Sequence, residues 1–231
     1  MRLLILHIFI FFALIIRAQT PFENFRERLQ EEDFKTAQSI IDSCSYSNYH
    51  MDSVLYYKGL LTLKKGNIRG ARTICNNLKK MYPDFFEQHY LSALIYFVNQ
   101  NYGNCINEFT IVLQKDSMHL KALYNRSLAY GMLDDYTRAI EGLSKCVLYY
   151  PNYAMGYYSR AYWYEYSVNY TEAKKDYEKS IALNPKNYDA YMGLAYIYQN
   201  EKNSDKACDI INNAITAGSQ IAEELKENFC R

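Results

Sequence analysis

The feature that most constrains this chain is a repeat of constant length. Aspartate or asparagine recurs every 34 residues, at Asp33, Asn67, Asn101, Asp135, Asn169 and Asn203. Each is followed four residues later by a small side chain, at Ala37, Ala71, Cys105, Ala139, Ala173 and Ala207. Another small residue lies eight positions before five of these Asp and Asn residues, at Gly59, Ala93, Ser127, Ala161 and Ala195. The first copy has Phe25 at that position. A fixed period of this length indicates a stack of similar structural units.

The spacing inside each unit predicts two antiparallel helices. Asp and Asn accept hydrogen bonds from the free N–H groups at a helix start, so each marks the entry into a second helix. The small residues let the two helix axes approach closely. We expect two further positions to supply the apolar filling. One is occupied by Phe34, Ile68, Tyr102, Tyr136, Tyr170 and Ser204, and the other by Ile41, Cys75, Phe109, Leu143, Tyr177 and Ile211. Pro83, Pro151 and Pro185 are expected to end second helices, because proline has no N–H to donate.

Composition supports a helical protein and limits the classes of partner that it could bind. Only 9 glycines and 4 prolines occur in 231 residues, which disfavours a β-sandwich with many tight turns. Lysine and arginine total 26 against 25 acidic residues, a net charge of +1. Without a basic stripe or excess, we expect no nucleic-acid partner.

The repeat resembles the tetratricopeptide repeat family, most clearly from Tyr157 to Pro185. The resemblance implies an all-α fold, a right-handed superhelical solenoid of antiparallel helix pairs whose first helices line a concave groove. We expect one domain from residue 19 to residue 231. It would contain a degenerate repeat, five complete repeats and a capping helix, at 19–51, 52–85, 86–119, 120–153, 154–187, 188–221 and 222–231.

The N-terminus predicts a signal peptide over residues 1–18. Arg2 precedes an apolar run from Leu3 to Ile16, which is too short to cross a bilayer of about 30 Å. We therefore expect export to the periplasm or the extracellular space, with no membrane association after cleavage.

Two rows of first-helix residues predict a ligand-binding groove. Residues four apart share a helix face, so tyrosines and the apolar residues that follow them would form one trough. The predicted groove residues are Tyr56, Leu60, Tyr90, Leu94, Tyr124, Asn125, Leu128, Tyr158, Tyr162 and Tyr196. For any single tyrosine, packing between repeats is an equal alternative. A third row is interpreted as structural, at Tyr96, Tyr130, Tyr164 and Tyr198.

This trough predicts a protein or peptide partner bound by a non-catalytic scaffold. One branch of the family clamps C-terminal carboxylates with Lys, Asn and Arg, and of those positions only Asn125 fits here. We therefore expect apolar segments rather than acidic tails. Two alternatives stay open: glycan binding, with polar side chains near Tyr196 at Asp189, Gln199 and Asn200, and a structural role in an envelope or secretion assembly through the convex face.

Catalytic, metal and cofactor chemistry has little support in the sequence. There is no CxxC pair, Gly-rich phosphate loop, HExxH or GxSxG, and His50, His89 and His119 share no repeat position. We expect no enzyme activity, no cofactor and no metal site. Arg126 and Arg160 are expected to make polar contacts within the repeats. Cys208 and Cys230 are the one cysteine pair considered for a disulfide, and the others are expected as buried thiols, at Cys44, Cys75, Cys105 and Cys146.

Overall fold

A computed structural model describes residues 21–47 and 50–230 of the chain. This part contains thirteen α-helices and no strand. They are α1 Pro21–Gln30, α2 Phe34–Tyr46, α3 Met51–Lys64, α4 Ile68–Met81, α5 Gln88–Val98, α6 Tyr102–Lys115, α7 Leu120–Gly131, α8 Tyr136–Tyr149, α9 Ala154–Tyr166, α10 Tyr170–Leu183, α11 Tyr188–Asn200, α12 Ser204–Thr216 and α13 Gln220–Phe229. The predicted signal peptide, residues 1–18, lies outside the described residues.

The chain divides into two compact units, one ending at Asn99 and the other beginning at Gln100. The first unit contains α1 to α5 and the second α6 to α13. Within each unit consecutive helices pack as pairs. The all-α fold of stacked helix pairs is thereby confirmed. That all the repeats form one domain stays a prediction.

Asparagine and aspartate cap the second helices as the sequence predicts. The side chains of Asp33, Asn67, Asn101, Asp135 and Asn203 accept hydrogen bonds from backbone N–H groups three residues further on, with N···O distances of 2.8 to 3.3 Å. Asn169 occupies the same cap position without a side-chain bond. The residue before each cap has positive φ, and five of these six residues are not glycine: Glu32, Gln100, Asp134, Val168 and Lys202.

The small repeat positions form the contact between paired helices. The alanine or cysteine four residues after each cap is fully buried. The filling residues at the second of the two positions are also buried, namely Ile41, Cys75, Phe109, Leu143, Tyr177 and Ile211. Phe25 is also fully buried, with its ring 5.1 Å from that of Tyr57. By contrast, the aromatic or apolar residues directly after the caps are only half-buried, because the first residue of a helix lies at the edge of the core. These residues are Phe34, Ile68, Tyr102, Tyr136 and Tyr170.

Second helices end two residues before the predicted prolines. α4 ends at Met81, α8 at Tyr149 and α10 at Leu183. α6 ends at the equivalent residue, Lys115, although Ser117 replaces proline there. The helix end therefore depends on the repeat length as well as on proline.

A short helix covers the end of the second unit. Ala222 and Phe229 of α13 are buried against the last repeat, and Glu223, Glu224 and Lys226 are exposed. A disulfide joins Cys208 on α12 to Cys230, with 4.7 Å between the Cα atoms. The capping helix is thus attached both by apolar packing and by a covalent bond.

The four other cysteines form no disulfide and are buried, as the sequence predicts. Burial raises the pKa of the Cys105 thiol to about 12 and that of the Cys146 thiol to about 12. Both are therefore protonated at neutral pH and pack as small apolar groups.

Arg160 makes a two-pronged ion pair inside its own repeat. Its Nε and Nη2 donate to the two carboxylate oxygens of Asp176 at 2.6 and 2.8 Å, and Nη1 donates to Ser144 Oγ at 3.1 Å. Arg126 Nη1 donates to Thr110 Oγ1 at 3.2 Å. Contacts within its own repeat are confirmed for Arg160, which also bonds to Ser144 of the preceding repeat. The hydrogen bond of Arg126 joins it to Thr110 of the preceding repeat instead.

We predict that breaking the disulfide destabilises the second unit. The Cys230→Ser variant should lose about 3 kcal/mol of unfolding free energy, because the bond closes a loop between residues 22 apart in sequence. Urea unfolding followed by the fluorescence of Trp163, the single tryptophan, measures this unit. Reductant should lower the midpoint of the wild type and leave that of Cys230→Ser unchanged. Equal midpoints for the two proteins without reductant would contradict the prediction.

We also predict that two Arg→Ala substitutions lower the free energy of unfolding by different amounts. Arg160→Ala should lose about 3 kcal/mol, because it leaves the buried carboxylate of Asp176 without its cation. Arg138→Ala is the matched control: its ion pair with Asp135 is largely exposed and should be worth less than about 1 kcal/mol. The same Trp163 assay compares them. Similar losses for both variants would refute a structural role for the Arg160 pair.

Candidate binding surface

In the second unit, the first helices of successive repeats lie side by side. α9 contacts both α7 and α11, while α8 packs between α7 and α9 and α10 packs between α9 and α11. The sides of α7, α9 and α11 away from the second helices therefore form one surface, which we call the first-helix wall. These three helices contain the predicted groove residues of this unit: Tyr124, Asn125, Leu128, Tyr158, Tyr162 and Tyr196.

In the first unit the predicted tyrosines lie in the core, which corrects the expectation of an open row of rings there. Tyr56 is 8% exposed and Tyr90 is 9% exposed. The Tyr56 ring meets the rings of Tyr57 and Phe85 edge-on, at centroid distances of 5.0 and 5.9 Å. Burial raises the pKa of Tyr56 well above its ordinary value. Phe85 comes from the segment between α4 and α5, which covers Tyr56, and the neighbouring Leu60 and Leu94 are half-buried.

Tyr124 is fixed by its neighbours on the first-helix wall. Its hydroxyl is 3.0 Å from Ser159 Oγ, and its ring meets that of Tyr153 edge-on at 5.5 Å. Asn125 Nδ2 donates to the carbonyl of Lys121 in its own helix at 2.8 Å, and Leu128 is half-buried. This part of the wall is thus mainly occupied with internal contacts.

The accessible rings lie further along, on α9 and α11. Tyr166 is 54% exposed and Tyr196 is 52% exposed, while Tyr158 and Tyr162 are half-buried. The rings of Tyr162 and Tyr166 lie 4.7 Å apart, and the Tyr162 hydroxyl donates to that of Tyr166 at 3.1 Å. We call Tyr158, Tyr162, Tyr166 and Tyr196 the tyrosine patch. The sequence prediction missed Tyr166, although its position four residues after Tyr162 places it on the same face.

A glutamate beside the tyrosine patch was also missed. Glu165 is half-buried, and its Oε2 accepts a hydrogen bond from the Tyr177 hydroxyl at 2.7 Å. Tyr177 belongs to α10 and reaches the wall past Gly193, where a Cβ atom would lie 2.4 Å from the ring. Burial raises the pKa of Glu165, and Glu165 has no ion-pair partner among the described residues. No pattern within α9 alone shows this pairing, because the donor lies on another helix.

The remaining candidate residues have structural surroundings. The tyrosine row interpreted as structural, Tyr96, Tyr130, Tyr164 and Tyr198, is half-buried throughout. The guanidinium of Arg138 lies over the Tyr130 ring at 4.8 Å, and Lys174 Nζ lies 5.0 Å from the Tyr198 ring centre. His119 Nδ1 accepts a bond from the Ala122 N–H at 3.1 Å and so caps α7.

The described residues contain neither a metal-binding cluster nor a membrane-spanning helix. Over residues 21–47 and 50–230, no three His, Cys, Asp or Glu side chains come together in a way that could hold a metal ion. None of the helices described is long and apolar enough to cross a membrane.

Comparison with known proteins gives one curated relative in humans. Superkiller complex protein 3 from Homo sapiens is 31% identical over 108 residues, or 47% of this chain. The chain spans only 7% of the length of that protein.

Solved structures share the fold at low sequence identity. The pilF structure from Pseudomonas aeruginosa has a TM-score of 0.66 at 17% identity, with 78% of this chain and 86% of that chain covered. The MamA structure from Desulfovibrio magneticus has a TM-score of 0.65 at 16% identity, covering 72% of this chain and 94% of that chain. At these identities the likeness concerns the fold alone.

Three family models described as tetratricopeptide repeat match the second unit. They cover residues 121–153, 156–187 and 176–209. These models describe a repeat and not an enzyme family. The matched residues run through α7 to α12 and so include both helices of the tyrosine patch. Residues 121–153 and 156–209 of the chain therefore match the tetratricopeptide repeat.

Proposed function

We propose that this protein is a non-catalytic scaffold that binds a peptide or partner-protein segment on the first-helix wall of its second unit. The observation that carries the proposal is the tyrosine patch, in which the exposed Tyr166 ring lies 4.7 Å from that of Tyr162 on α9, and the neighbouring first helix α11 carries the exposed Tyr196. Tyrosine combines a flat apolar ring with a hydroxyl and is enriched where proteins recognise partners. The matches to tetratricopeptide repeats over the same helices support this role.

The chemistry of the wall favours apolar and aromatic segments. Met155 on α9 and Met132 just after α7 are exposed, and methionine adapts its shape to different partners. Tyr56 and Tyr90 lie in the core of the first unit and take no part in the proposed contact. The wall lacks the paired cations that would hold a terminal carboxylate.

A second candidate is a structural role through second helices. Leu148 is 72% exposed on α8 and lies next to the exposed Tyr149. Apolar side chains on this side could join the protein to an assembly. The glycan alternative has weaker support, because the Gln199 amide near Tyr196 donates to the Asn228 carbonyl at 2.8 Å and so belongs to the cap.

We predict that the two most exposed rings of the patch control peptide binding. Peptides selected from a random display library on the purified wild-type chain should bind at least about tenfold more weakly to Tyr166→Ala and to Tyr196→Ala, because each variant removes an exposed aromatic contact. Fluorescence anisotropy with a labelled peptide measures the affinity.

Leu148→Ala and Tyr149→Ala are the controls, since both residues are exposed on α8. They should bind the selected peptides as the wild type does. Loss of binding in these variants with none in Tyr166→Ala and Tyr196→Ala would assign recognition to the second helices instead.

Export is part of the proposal. The apolar N-terminal run supports it, and so does the Cys208–Cys230 disulfide, because such bonds persist in oxidising compartments. We predict that the protein recovered from an exporting cell begins at Gln19. N-terminal sequencing tests this, with a variant carrying Leu6→Arg and Ile8→Asn in the apolar run as the control that should be retained. A mature protein that begins at Met1 would refute cleavage.

A further inference from the structure

An apolar notch lies between the second helices of the last two complete repeats. It opens between α10 and α12, with buried residues of α11 as its floor, and encloses about 490 Å³. Apolar side chains dominate its lining, with Ile181 and Ala182 on α10, Tyr191 and Leu194 on α11, and Ile210 on α12. Among the described residues that line it, Glu178 is the one that carries a charge. The notch is therefore an apolar depression with a single exposed carboxylate.

The notch lies where the preceding repeat has an arginine. There, Arg160 lies between two second helices and donates to Ser144 on one and to Asp176 on the other. One repeat later, the three equivalent positions are occupied by Leu194, Glu178 and Ile210. Leucine donates no hydrogen bond, and Glu178 has no ion-pair partner in the described part of the chain. Glu178 therefore carries its charge without the cation that the preceding repeat supplies at this place.

A knob with matching chemistry projects from α8. Leu148 is 72% exposed, and the adjacent Tyr149 is also exposed. Leu148 has the repeat position of Ala182, which lines the notch, so knob and notch lie on the same side of the second unit. Lys145 lies one helical turn before Leu148, is exposed, and has no ion-pair partner among the described residues. We call Lys145, Leu148 and Tyr149 the α8 knob, an apolar projection with a cation beside it.

We propose that a second copy of this chain places its α8 knob in the notch. Leu148 of the second copy packs against Leu194 and Ile210, and Lys145 of the second copy lies beside Glu178. Apolar surfaces and opposite charges are thereby matched at one contact. Because knob and notch lie on the same side, a two-fold axis between them pairs each knob with the other copy's notch and closes a dimer. This inference goes beyond the proposed function and does not rest on it, since the contact leaves the first-helix wall free.

Sedimentation equilibrium of the purified chain tests the dimer. The wild type should associate reversibly to a dimer at concentrations up to about 300 μM, because a contact made by few side chains is weak. Lys145→Glu and Glu178→Lys should each weaken association at least about tenfold, since each sets like charges against one another at both contacts. Lys145→Glu combined with Glu178→Lys restores opposite charges and should recover the wild-type association. Both residues are exposed, so these variants are compatible with folding.

Further samples separate this pairing from a general effect of charge. An equimolar mixture of Lys145→Glu and Glu178→Lys chains should form mixed dimers with the wild-type affinity, because both contacts then join opposite charges. Leu148→Ala should weaken association at least about tenfold by removing the apolar contact. The charge-matched control is Lys202→Glu, exposed in the turn before α12 and outside the notch lining, which should associate as the wild type does. Its backbone conformation tolerates glutamate, since Glu32 has the same positive φ at the equivalent position.

A wild type that stays monomeric over the whole concentration range would overturn the dimer. Wild-type association of Leu148→Ala, or no recovery in the combined charge variant, would overturn it as well. Equal weakening in Lys202→Glu and Lys145→Glu would assign association to net charge and would also overturn it. Peptides selected on the wild type should bind Lys145→Glu unchanged, because α8 lies outside the first-helix wall. Peptide binding can therefore fail while the dimer stands, and the dimer can fail while peptide binding stands.

Discussion

The architecture depends on one hydrogen bond repeated along the chain, from a backbone N–H at the start of a second helix to the side chain of the Asp or Asn that precedes it. Five second helices begin with this bond, and the helix after Asn169 begins at the equivalent residue without it. The residue before the cap has positive φ in every repeat, so the chain reverses within a very short turn. At five of these turns a residue other than glycine takes this conformation, which costs of order 1 kcal/mol and is tolerated because the packed helices on both sides hold it.

Close approach of the helices then decides where the large aromatic side chains can go. The chain contains 25 tyrosines, far more than a core of this size can enclose beside its alanines. Glycines on first helices make room for two large rings: a Cβ on Gly131 would lie 2.2 Å from the Trp163 ring, and one on Gly193 would lie 2.4 Å from the Tyr177 ring. Other rings remain on the surface. The tyrosine patch thus follows from the same packing that forms the core.

Much of this fold could be predicted from the sequence because its determinants are local and periodic. The caps, small positions and helix ends recur at the same spacing, so a copy that departs from the pattern can still be assigned from the register of the others. The candidate surface is different, because exposure depends on which segment covers which helix. Phe85 lies outside the helices, and nothing in the row of tyrosines shows that it covers Tyr56. Likewise, nothing in α9 itself shows that Glu165 accepts a hydrogen bond from Tyr177, a residue that the repeat pattern assigns to the core.

The disulfide at the last repeat has a consequence for how the second unit opens. A stack of similar hairpins loses structure most easily from its ends, where a hairpin has one neighbour instead of two. Here one end is closed by α13, which is bonded through Cys230 to Cys208. Opening of this end should therefore be rare, and amide exchange in α12 should become faster when the disulfide is reduced. The covalent bond thus protects the last repeat from local unfolding.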